Sequence, residues 1–98
     1  MRTDKIIKIE IDESGRLLIT PDTERFTMIY RSAAEVHWDN KMNSLYSSKP
    51  REWSYLDWYK HIVSLIVTDC NCQLLITEST DWINVPDDLK NEIKEYKN

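Results

Sequence analysis

Glycine is almost missing from this chain: Gly15 is the single one in 98 residues. Phosphate cradles, the dinucleotide fingerprint and the G-x-S-x-G nucleophile elbow each need several positions where backbone approaches a ligand or turns sharply. Those enzyme classes are therefore excluded. Long hydrophobic runs are missing too. No segment approaches the roughly 18 apolar residues that cross a bilayer, and the opening MRTDKIIKIEIDE is charged where a secretory signal needs an apolar stretch. Cysteine is limited to Cys70 and Cys72. One intervening residue is too few for an unstrained disulfide and one short of the C-x₂-C metal spacing. Basic excess is also absent: 13 Lys and Arg against 17 Asp and Glu give a net charge of −4, which repels a phosphate backbone. We expect a reduced cysteine pair, no metal or cofactor, no membrane or nucleic-acid partner, and a cytoplasmic location.

What is present suffices for one globular domain over residues 1–98, with 41% hydrophobic residues and four Trp to carry core burial. Residues 5–12 alternate, with Ile7, Ile9 and Ile11 on one face against Lys8, Glu10 and Asp12; Ile6 falls at the rim. The segment Glu13-Ser14-Gly15-Arg16 supplies a turn, and Leu17 to Thr20 returns as the second arm of a hairpin. Pro21 and Asp22 end that arm. Phe26, Met28 and Tyr30 then alternate with Thr27, Ile29 and Arg31 to predict a third strand. A fourth is expected over residues 35–39, with Val36 and Trp38 on one face and His37 on the other. Residues 40–50 read as a loop or as a loop holding a short strand at Leu45 and Tyr46.

The stretch WSYLDWYKHIVSLIVTD, residues 53–69, specifies a helix. Ser54 is the N-cap, Asp57 falls at N3, and Trp53 and Trp58 occupy the staple positions N′ and N4. Tyr55, Trp58, Tyr59, Ile62, Leu65 and Ile66 span an arc of roughly 120°, which Leu56, Val63 and Val67 widen toward half the circumference. One sheet face needs a stripe on the order of 100°, so a second body must cover the Leu56/Val63/Val67 shoulder. That body is either the C-terminal helix or another chain. Asn71 suits a left-handed C-cap, and residues 73–77 read as a returning strand. Pro86, Asp87 and Asp88 open a last helix, which Lys94 and Lys97 close. The expected fold is α+β: an antiparallel sheet of about five strands, in the order β-β-β-β-α-β-α, with the long helix on one face.

No nucleophile and base are set side by side, so an enzyme is disfavoured. Glu35, His37 and Asp39 form a candidate ligand set, because a strand puts such residues on one face, and a pocket lined by tryptophans would make them a small-ligand or minor enzyme site. Lys49, Arg51 and Lys60 among aromatics have the composition of single-strand nucleic-acid binders, yet the staple and helix core account for the same rings. His37, His61 and the cysteines are metal-type ligands without a metal spacing. The leading expectation is a non-enzymatic module that engages a protein partner, or itself as a homodimer. Its surface would be aromatic-rich and acidic, carried by Trp38, Arg51, Trp53 and Trp82.

In size, charge and α+β pattern the chain resembles the small acidic orphan proteins of mobile, integron-type gene cassettes and of toxin-immunity loci. The likeness rests on that profile, not on a residue motif, and carries over no site residue. It implies a cytoplasmic protein of unknown or inhibitory role that occupies a basic partner by charge complementarity.

Overall fold

The computed structural model describes residues 1–32, 35–48 and 51–96; Lys49 and Lys97 lie outside the described residues. Its strands are β1 (Arg2–Ile11), β2 (Leu17–Pro21), β3 (Val36–Asp39), β4 (Ser44–Ser47) and β5 (Cys72–Ile83), with helices α1 (Tyr55–Cys70) and α2 (Asp87–Glu95). They make one sheet in the order β3-β4-β2-β1-β5. The fold is the expected α+β with the expected order of elements, and the sheet is mostly antiparallel with one parallel pair, β1 and β5. The parallel pair follows from connectivity. β4 shares β1's direction after two antiparallel steps, and a helical crossover delivers the next strand in the same sense.

Three expectations are corrected, and one open alternative is decided. In β1, Ile6 and Ile9 are fully buried while Ile7 is 42% exposed. Adjacent Ile6 and Ile7 cannot both face the core of a regular strand, and a bulge between Ile6 and Lys8 resets the phase. On the β5 side the register jumps from Ile6↔Ile76 to Lys8↔Asp81. There the buried Thr80 hydroxyl donates to the Ile6 carbonyl at 2.6 Å and accepts from the Thr77 N–H at 3.0 Å, replacing ladder bonds.

The second correction concerns residues 26–31, which form no strand. Phe26 and Ile29, three apart, enter the core, while Met28 and Tyr30 face out. A 3-10 turn covers Ile29–Arg31. The Asp4 carboxylate explains why the preceding residues do not pair: it accepts from the N–H groups of Thr23 and Glu24 and from the Thr23 hydroxyl. Those amides are thus satisfied by a side chain instead of a ladder. Third, β5 runs on through Trp82 to Ile83, well past the expected end at Thr77. The alternative over residues 40–50 falls to the short strand: Leu45 and Tyr46 lie in β4, which keeps the total at five.

Helix α1 is capped as its sequence dictates. The Ser54 hydroxyl accepts from the Asp57 N–H, and Asn71 closes the other end at φ 52°, ψ 43°. Trp58, Tyr59, Ile62, Val63 and Ile66 bury against Ile6, Ile9, Leu17, Ile19 and Leu45. The Tyr55 hydroxyl donates to the Gly15 carbonyl at 2.8 Å, fastening the helix to the hairpin turn where Gly15 holds φ 82°. Helix α2 packs on α1: Ile93 is fully buried, and Tyr96 meets the Tyr59 ring edge-on and shares a hydrogen bond with the Ser64 hydroxyl. Both helices lie on one face of the sheet.

Candidate functional site

The N-terminus of α1 builds an aromatic corner. Trp53 lies just before the cap and is 45% exposed, with its ring centroid 4.8 Å from Trp58 and 5.2 Å from His61. Trp58 is buried and meets His61 edge-on at 5.9 Å. The Trp58 and His61 rings therefore flank the half-exposed indole. Arg51, two residues earlier, is exposed. His61 belongs to the polar arc of the helix by sequence, and its i, i+3 relation to Trp58 is the signal that places it in the corner.

Trp38 and Trp82 are half-buried and occupy β3 and β5, the two opposite edges of the sheet. Trp38 packs edge-on against Phe26 at 6.0 Å, and the Lys90 ammonium lies 5.5 Å from the Trp82 ring centre. The four residues expected at one surface thus divide into an exposed pair, Arg51 and Trp53, and two half-buried indoles far apart in the sheet. Of the helix shoulder, Val63 is buried and Leu56 and Val67 are half-buried. Tyr96 touches Tyr59, Lys60 and Ser64, which flank Val63, so α2 covers this side of the helix.

Glu35, His37 and Asp39 do not assemble into a pocket. Glu35 is exposed ahead of β3. His37 lies tilted on Tyr46 at 5.2 Å. Asp39 shapes the β3–β4 turn, accepting from the N–H groups of Lys41 and Met42 at 2.8 and 3.0 Å. His37 and Asp39 lie on the sheet face opposite the helices, with Leu18 fully buried opposite Tyr46, the Arg16 guanidinium 4.6 Å from the Tyr46 ring centre, and a Thr20–Ser44 hydroxyl pair at 2.6 Å.

Cys70 ends α1 and Cys72 begins β5 as free thiols. Burial raises both thiol pKa values, which keeps them protonated and poor nucleophiles at neutral pH. Among the described residues, no group of three or more His, Cys, Asp and Glu could hold a metal ion. No helix among them is long and apolar enough to cross a membrane.

A cleft of about 520 Å³ opens between residues 24–32 and the last turn of α1. Arg2, Arg25 and Arg31 line it together with Asp69 and Cys70. A strand over residues 26–31 leaves no such cleft, so the sequence hides it, although Arg25 and Arg31 bracket the turn in plain view.

By fold and content this is a small α+β protein with a stapled aromatic helix across one sheet face, and it shows no assembled reaction centre among the described residues. The chain belongs to the family of Integron Cassette Protein Hfx_Cass5, whose model matches residues 4–80. A solved structure from the mobile metagenome of North West Arm Sewage Outfall, also Integron Cassette Protein Hfx_Cass5, is similar at 38% identity and a TM-score of 0.51. The match covers 96% of this chain and 94% of that one. No curated protein sequence matches the chain.

Proposed function

We propose that this protein is a non-enzymatic binding module that engages a protein partner, a second copy included, through the corner formed by Trp53 and Arg51. The observation that carries this reading is the half-exposed Trp53 indole, pinned by Trp58 and His61. An aromatic braced by two rings, with an exposed arginine two residues earlier in the chain, matches the make-up of interface hot spots. The net charge of −4 favours a basic partner and disfavours nucleic acid. Two free thiols suit the reducing cytoplasm. An inhibitory role, as in an immunity protein, is one form this activity would take.

The test compares wild-type protein with Trp53→Ala in two assays, light scattering across a concentration series and affinity capture of soluble host proteins. The expected result is either self-association or retention of a defined partner, weakened about tenfold or more in the variant. A monomer at all concentrations whose captured proteins are the same with either bait would overturn the proposal.

A further inference from the structure

We infer that the cleft between residues 24–32 and the C-terminal turn of α1 binds a monoanionic carboxylate carried on an apolar body. Its volume, about 520 Å³, falls in the range of small-ligand sites. Three of the chain's five arginines line it, in a protein whose net charge is −4. Arg2 is already engaged: its guanidinium bonds the Glu24 carboxylate and donates to the Cys70 carbonyl at 2.6 Å. Arg25 and Arg31 have no ion pair among the described residues, where Arg2, Lys8 and Arg16 are the cations that do.

The charges in the cleft select the ligand. Arg2 and Glu24 cancel, and Asp69 is the one remaining acid of the lining against Arg25 and Arg31, leaving a single positive charge. One carboxylate neutralises it through charge-assisted bonds to the guanidinium forks. A phosphate dianion would overshoot that charge and meet Asp69. Buried Phe26 and Ile29 and the 47%-exposed Met28 supply an apolar wall for the rest of the molecule.

The start of the loop, residues 22–24, is fixed in advance. Asp4 grips Thr23 and Glu24, the Asp22 N–H donates to the Lys5 carbonyl at 2.9 Å, and Arg2 ties the loop to the end of α1. What remains for a ligand to order is the exposed side chains of Arg25 and Arg31, which follow this fixed stretch. The cleft lies at the opposite end of α1 from Trp53, about 24 Å away by helical rise. It therefore stands or falls independently of the protein-binding corner.

The test is an NMR titration of the full chain that follows the guanidinium and amide signals of residues 24–32, 69 and 70. The probes are hexanoate, hexanamide, hexyl phosphate, and the peptide acetyl-Ala-Leu with a free or an amidated C-terminus. Saturable shifts are expected with hexanoate, with the free-acid peptide, or with both. A preference for hexanoate marks a small free acid as the source, and a preference for the peptide marks a protein C-terminus. Arg25→Gln and Arg31→Gln should each weaken binding about tenfold while amide shifts elsewhere stay fixed. Absence of shifts with either carboxylate, equal binding of hexanamide, tighter binding of hexyl phosphate, or indifference to both substitutions would overturn it.

Discussion

Asp4 shows how much of this structure a single side chain can set. Only 6% exposed, it organises residues 22–24 by accepting two backbone N–H groups and a hydroxyl. Burial raises its pKa, but the hydrogen bonds from Glu24 and Thr23 outweigh that and hold the carboxyl below its ordinary value of 3.8. Asp12 is depressed likewise, its burial outweighed by Arg16. A carboxylate with a lowered folded pKa contributes stability that is complete above its unfolded pKa and is lost as pH falls through the folded value. Urea unfolding should therefore show a flat stability profile above about pH 5 and a decline below about pH 4. In Asp4→Asn that acid decline should be shallower and the neutral-pH stability lower by about 1–3 kcal/mol. Thr80→Val should cost a similar amount, about 1–3 kcal/mol, because it strips both bonds that bridge the β5 irregularity; chemical denaturation measures it.

At the scale of elements, the sequence is most legible where local chemistry decides the outcome. The cap at Ser54, the left-handed Asn71, the Gly15 turn and the buried face of α1 are all written in short-range spacing. Strands are legible only while their alternation goes undisturbed. The Ile6-Ile7 doublet admits two phases, and only the partner strands, through the bulge and Thr80, select Ile6 and Ile9 for the core. Residues 26–31 alternate except at Ile29, which is apolar on the Thr27 and Arg31 phase, and Asp4, some twenty residues earlier, captures the amides ahead of them. The same long-range dependence hides the arginine cleft, which exists because that segment turns. The bulge makes a sharp prediction: Ile9→Ala should lose about 2–5 kcal/mol, whereas Ile7→Ala should stay within about 0.5 kcal/mol of wild type. Equal losses in a thermal or urea series would restore the regular strand and contradict the bulge.

For the whole molecule, the two ends of α1 carry surfaces of different make-up. One end carries the aromatic corner and the other the arginine cleft, and α2 covers the flank of Tyr59 and Ser64 between them. At the corner, Trp53 is half-exposed and Trp58 is buried in the core. Trp58→Ala should therefore lose about 3–5 kcal/mol, and Trp53→Ala only about 1 kcal/mol, the worth of an aromatic contact at the surface. The acidic balance predicts no retention on heparin resin at low salt. The decisive experiment places a photo-crosslinking benzoylphenylalanine at position 53, with the same label at exposed Glu13 as control, and resolves the adducts by mass. Position 53 should yield one dominant adduct, with a second copy or with a single partner, and position 13 none of that mass. Adducts that are absent, or identical from the two positions, would contradict the claim that the Trp53 corner is where this protein meets its partner.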